Sequence, residues 1–256
     1  ANYFDPDSPI RAELGLKATA SYDISPGFVL SGTLQKRAVG NIHTATRESD
    51  SIIRRVRSDS RIYDREGDPA IKDLTLSYYF RPGENLYGRV TAGYLETMYG
   101  GVSSELLWKP VDSRFAFGAE VNALQQRDFN QLFGFQSYRV ATGHLTTYWD
   151  MGNGFHSEAS VGRYLGGDIG GTLKLERIFK NGWRIGAYAT LTNVPFSDFG
   201  EGSFDKGIRI EIPSDWMFGT PTRDTTATLP IRRARACASP PPFRRRVARG
   251  DQMAAP

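Results

Sequence analysis

Hydrophobic and polar residues alternate along most of this chain. Leu14, Leu16, Ala18, Ala20 and Tyr22 interleave with Glu13, Gly15, Lys17, Thr19 and Ser21; Phe28, Leu30, Gly32 and Leu34 interleave with Val29, Ser31, Thr33 and Gln35. A period of two puts one set on each face of a β-strand. The pattern returns over residues 74–80, 86–94, 102–108, 115–122, 136–149, 155–164, 169–179, 183–191 and 208–212, which predicts eleven strands of about ten residues each. The connections sharpen this picture. After strands one, three, five, seven and nine comes tight-turn chemistry: Ser25-Pro26-Gly27, Arg81 to Asn85, Lys109 to Ser113, Asp150 to Gly154 and Lys180-Asn181-Gly182. After the even strands the connections vary, from a charged loop over 39–70 to short ones at Met98–Gly101, Arg127–Phe135, Leu165–Asp168 and Pro195–Ser203.

Tight turns at one end of a sheet and variable loops at the other are the pattern of an up-and-down barrel. The expected fold is all-β: an antiparallel up-and-down meander forming part of a transmembrane β-barrel. A soluble meander or β-sandwich is the competing reading, since its half-wet sheets also alternate. No run of 18 apolar residues exists, which excludes a membrane-spanning helix but leaves a barrel open. In a barrel the charges at Arg89, Glu105, Glu120, Glu158, Lys174, Glu176, Arg184, Arg209 and Glu211 face the lumen, because Arg or Lys on the lipid face at the bilayer midplane costs about 2–4 kcal/mol.

Charge divides the chain. Its 256 residues carry a net +4, yet seven arginines against Asp251 put +6 on residues 231–256, which leaves 25 basic and 27 acidic residues on 1–230. The basic balance therefore belongs to a Pro- and Arg-rich stretch without periodicity. Residues 1–223 read as the β-barrel segment. Residues 224–256 read as a disordered tail, of the kind a shifted reading frame in GC-rich DNA produces, with a nucleic-acid or membrane-surface arm as the alternative. Because the β-patterned body is slightly acidic, no nucleic-acid partner is expected. Ala1 begins the sequence without a basic and apolar leader, so targeting is not legible there.

Candidate chemistry gathers at the variable-loop end: Tyr99; Arg127, Asp128 and Phe129; Arg163, Tyr164 and Asp168; and Phe199, Glu201, Phe204, Asp205 and Lys206. Rings beside cations and carboxylates suit glycan contact, with stacking on the sugar and acceptors for its hydroxyls; the same residues also serve as rim staples. A glycosidase pair, Glu201 with Asp205 or Asp168, is an alternative that requires a carboxyl separation of about 5 Å or roughly 6.5–9.5 Å. His43, His144 and His156 share no metal-ligand spacing, so no metal and no cofactor is expected.

Val56-Arg57-Ser58-Asp59, Leu86-Tyr87-Gly88-Arg89-Val90, Leu95 to Val102, Gln126-Arg127-Asp128, Gly162-Arg163-Tyr164-Leu165 and Phe199 to Gly207 occur in that order over residues 51–223. In these stretches the chain resembles the YjbH-type exopolysaccharide and capsule biosynthesis proteins, outer-membrane β-barrels of Gram-negative bacteria. The resemblance implies a non-enzymatic glycan conduit that assists polysaccharide export or assembly. It implies polysaccharide, outer-membrane lipid, and periplasmic or outer-membrane proteins of the same export system as partners. It also implies a longer protein, with an N-terminal part not present here and final strands where the arginine tail stands. No catalytic residue is carried over.

Overall fold

The computed structural model describes residues 2–3, 10–44, 59–195, 198, 204–213 and 226–232. A two-stranded ribbon pairs β1 (Asn2–Tyr3) with β2 (Ile10–Arg11). All other strands form one sheet in chain order: β3 (Glu13–Ser25), β4 (Phe28–Gly40), β5 (Ala70–Gly83), β6 (Leu86–Tyr94), β7 (Tyr99–Trp108), β8 (Phe115–Arg127), β9 (Phe135–Gly152), β10 (Phe155–Arg163), β11 (Ile169–Ile178), β12 (Arg184–Thr192), β13 (Asp205–Pro213) and β14 (Thr226–Arg232). Each strand pairs antiparallel with the next, so the sheet is a twelve-stranded up-and-down meander. Among the described residues, β3 and β14 are its two edges.

β3 to β13 are the eleven strands that the alternation predicts. Two segments differ from expectation. β14 lies inside the segment read as a tail and pairs with β13 from Gly207↔Arg232 to Pro213↔Thr226; the tail residues 233–256 lie outside the described residues. The charged loop is shorter than 39–70, because β4 continues to Gly40 and the chain then makes a short 3-10 turn (Ile42–Thr44) and a helix, α1 (Ser60–Glu66). Seven residues are too few to show helical periodicity against a charged background.

The turns obey local stereochemistry. At the β9–β10 hairpin Asn153 (φ 53°) and Gly154 (φ 79°) both occupy the left-handed region, as the tightest hairpin turns demand, and Asn-Gly adopts it at least cost.

The sheet is inside-out relative to a soluble protein. On β9, Leu145 is 64% exposed while its neighbours His144 and Thr146 are each 3% exposed. The register extends this across the sheet: Thr19, Thr33, Asp73, Ser77, Arg89, Glu105, Glu120, His144, Ser160, Thr172, Thr190 and Asp205 share one face, and Leu16, Leu30, Leu76, Val121, Leu145, Val161, Leu173 and Leu191 the other. A flat open sheet exposes both faces. Burial of the polar one therefore means that the sheet curls with its polar face inward. The inner face is stitched by cross-strand hydrogen bonds: Thr19 to Thr33 (3.3 Å), Ser31 to Thr75 (3.0 Å), Ser77 to Thr91 (2.9 Å), Asn122 Nδ2 to Thr142 Oγ1 (3.0 Å) and Thr172 to Thr190 (2.8 Å). The packed apolar cluster is small and sits inside the loop end, where Leu95, Tyr99, Leu124, Val140 and Leu165 pack with Met98 and Tyr138 against them.

Candidate functional site

Arg127 organises the loop end. The pairing of β8 with β9 shifts register between Gln125 and Arg127, a bulge that re-aims side chains and leaves both Gln126 and Arg127 buried. The Arg127 guanidinium donates to backbone carbonyls of two connections and of strand β5. Nη1 reaches Glu96 O (2.7 Å) in the β6–β7 loop and Lys72 O (3.5 Å) in β5; Nη2 reaches Gln131 O (2.8 Å) and Leu132 O (3.1 Å) in the β8–β9 loop. Its charged plane also lies over the Tyr94 ring at 4.4 Å. The Tyr63 hydroxyl of α1 donates to Arg127 O, and Gln126 Nε2 donates to Asp59 at the start of α1 (3.2 Å).

Gln131 is the second staple. It adopts a left-handed backbone (φ 56°), its Nε2 donates to Tyr63 O (2.5 Å), and its Oε1 accepts from Lys72 Nζ (3.1 Å). A Cβ on Gly67, just after α1, would stand 1.9 Å from Gln131 Nε2, so only glycine admits this contact. The Tyr63 ring meets Phe129 edge-on at 5.1 Å, and burial pushes its phenol up to about 12. Together these contacts seat α1 on the loop end of β5 to β9.

The other residues singled out from sequence fall into distinct places. Tyr99 is buried in the apolar cluster, and its carbonyl accepts the amides of Leu95 and Glu96 (both 3.1 Å). Asp128 and Phe129 are half-buried. Arg163 is exposed and donates through Nε to Gly167 O (3.1 Å). Tyr164 is buried, bonded to Thr172 Oγ1 (2.7 Å), with its ring edge-on to His144 at 4.7 Å. Asp168 is buried beside Thr192, and burial raises its carboxyl above the ordinary range. Asp205 is buried and accepts from the Tyr188 hydroxyl (3.2 Å), while Lys206 Nζ lies 4.3 Å over the Phe204 ring. Phe199 and Glu201 lie outside the described residues. Arg127, Tyr99, Tyr164, Asp168 and Asp205 are thus buried, and for Arg127 it is the bulge that turns the side chain into the fold.

The nine charges expected in the lumen all stand on the inner, polar face. Arg89 Nη2 pairs with Glu105 (2.9 Å), Lys174 with Glu158 (2.8 Å), and Glu211 with Arg209 and with Arg184 (4.0 Å); Glu176 lies opposite His156. Arg89, Glu105, Glu120 and His144 follow one another across β6, β7, β8 and β9 as directly opposed residues. Sequence reasoning missed Tyr63, Gln131, Lys72 and Asp64. The one available signal was Tyr63, a lone aromatic among charges; Gln131 acquires its role only through the loop fold.

Residues 1–234 match the family model described as "Exopolysaccharide biosynthesis protein YbjH". The chain belongs to the YjbH exopolysaccharide biosynthesis family. Over 230 residues it is 37% identical to "Uncharacterized lipoprotein YjbH" of Escherichia coli (strain K12), with 87% of this chain and 33% of that protein aligned. The chain spans about one third of the length of this YjbH relative. No solved structure matches it.

Proposed function

We propose that the chain is a membrane-embedded portion of an outer-membrane β-barrel that assists exopolysaccharide export or assembly without making or breaking bonds in the glycan. The observation that carries this is the exposed apolar face of the sheet. On β8 the outward positions from Phe115 to Ala123 hold no charge and extend about 27 Å along the strand at roughly 3.4 Å per residue. With a barrel tilt of roughly 35–45° that band stands about 21 Å tall, near the ~25 Å apolar band of outer-membrane barrels. Its borders also match. The turn end carries outward aromatics in stacked pairs, Phe28 with Tyr78 (4.3 Å), Trp108 with Phe117 (5.8 Å) and Phe115 with Trp149 (5.6 Å), and Tyr94 stacks on Phe135 (5.4 Å) at the loop end. Rings of this kind belong at a membrane–water boundary.

The family supplies the polysaccharide, and the inner face supplies hydroxyls, amides and paired charges of both signs, which suit a neutral or weakly charged hydrophilic polymer. The apolar cluster of Leu95, Tyr99, Leu124, Val140 and Leu165 fills the inside of the loop end, so passage of a glycan there requires the loops to part. The test is membrane fractionation with alkaline carbonate extraction, beside the Leu145→Arg variant. The chain is expected in the membrane pellet, with Leu145→Arg weakening insertion by about 2–4 kcal/mol. Recovery of the native chain in the soluble fraction without detergent overturns the reading.

A further inference from the structure

Beneath α1, at the loop end of the inner face, β3, β4 and β5 border a cavity of about 260 Å³. Its walls carry Glu13, Gln35, Arg37, Asp64 and Lys72, with Ile42 as the apolar side. We infer that this cavity is a subsite for one neutral hexosyl unit of a polysaccharide, an assignment that rests on the export reading above.

Size comes first. At about 260 Å³ the cavity lies just below the roughly 300–1,000 Å³ of pockets for drug-sized ligands and suits a single pyranose ring. Charge comes second. Two carboxylates and two cations sum to zero, so nothing draws in a net anion or cation; the carboxylates oppose a uronate, and the cations oppose an amine. Three of the four charges, Glu13, Arg37 and Lys72, are also anchored. Arg37 Nε pairs with Glu13 Oε2 at 2.7 Å and Arg37 Nη2 donates to Asp64 O. Gln35 Nε2 donates to Glu13 Oε1 (3.4 Å), and Lys72 Nζ is held by Gln131 (3.1 Å). A carboxylate has about four acceptor sites and an ammonium three donors, so these bonds orient the groups without exhausting them. A sugar hydroxyl both donates and accepts, and is the ligand group that uses acceptors and donors set side by side. Ile42 offers the apolar contact that a pyranose C–H face needs. Burial raises the Asp64 carboxyl, with Lys72 pulling it back. This group therefore holds a proton to higher pH than an ordinary aspartate and adds a donor as pH falls.

The experiment is saturation-transfer NMR on the 256-residue chain in detergent micelles. The probes are methyl glucoside, methyl galactoside and methyl mannoside, with methyl glucuronide as the anionic comparator. Transfer to at least one neutral hexoside is expected, with the glucuronide at least fivefold weaker. Gln35→Trp, which fills the space, should abolish transfer, and Asp64→Asn should weaken binding at least fivefold. If Gln35→Trp does not fold, Asp64→Asn decides. Absence of transfer to every neutral hexoside, or equal binding by Asp64→Asn, overturns the subsite. Membrane insertion is scored on the same preparations. A chain that inserts but binds no hexoside sinks this inference alone, and a chain that binds hexosides but stays soluble sinks the membrane reading alone.

Discussion

At the scale of single residues, the loop end depends on donors aimed at backbone carbonyls. A buried guanidinium is costly unless its protons are used, and Arg127 uses them on Glu96, Gln131 and Leu132 while lying over Tyr94. Arg127 was legible in the sequence as a notable residue beside Asp128, but its role was not, because the bulge after Gln125 reverses which way it faces. Tyr63 offers the sharpest test. Its phenol binds its proton more tightly in the fold than in the unfolded chain, about 12 against 10.0. Its contribution is therefore full below pH 10 and lost as pH rises towards 12. Hydrogen exchange at the amides of Ile71 and Gln131 should accelerate over that window. In Tyr63→Phe the same amides should be faster by about 1–2 kcal/mol of protection at pH 8, with the alkaline step reduced. An unchanged alkaline step in Tyr63→Phe would show that another group loosens α1 from the loop end.

At the scale of elements, each strand carries its burial preference in its alternation, and the register decides which polar groups meet. β6, β7 and β8 set Arg89, Glu105 and Glu120 in one row. Two carboxylates directly opposite each other repel, and the Arg89 pairing at 2.9 Å, with Asn122 Nδ2 donating to Glu120 (2.8 Å), offsets this. Arg89→Met leaves Glu105 buried without its cation and should destabilise by roughly 3–5 kcal/mol. Arg89→Met with Glu105→Leu should recover most of that loss. Urea unfolding of the double variant and of each single variant gives the coupling; a double variant whose loss equals the sum of the two single losses would show that the pair contributes no coupling. The strands themselves were legible because period two survives wherever one face is buried. α1 and β14 were not. α1 is too short for a periodic signal, and β14 is recognised only by its pairing with β13.

At the scale of the whole molecule, twelve strands wind in chain order into a sheet whose outer face is apolar and whose inner face is polar. The turn end carries most of the outward aromatics, including Trp108 and Trp149, which are 42% and 41% exposed. In vesicles whose lipids carry bromine at defined depths, both tryptophans should be quenched most strongly by shallow bromines. Variants retaining Trp108 or Trp149 as the sole tryptophan assign the signal to each position. Strongest quenching from the bilayer centre, or none, would contradict a boundary at the turn end.

Alternation, turn chemistry and the spacing of strands are local properties, so the chain by itself determined an all-β meander, its strand order and the division of each strand into an apolar and a polar side. Alternation alone did not fix which side faces inward, since period two is the same for a soluble sheet and for one turned inside-out; only the asymmetry of turns and loops pointed to a barrel with its charges inside. That was decided by the curl of the sheet, which buries Arg89, Glu105 and Glu120 and leaves Leu145 exposed. The loop-end site likewise exists only in three dimensions. Arg127, Gln131, Tyr63 and Lys72 come from separate segments, and a bulge, a left-handed residue and a seven-residue helix bring them together. Those features depend on long-range pairing, which a linear pattern does not contain.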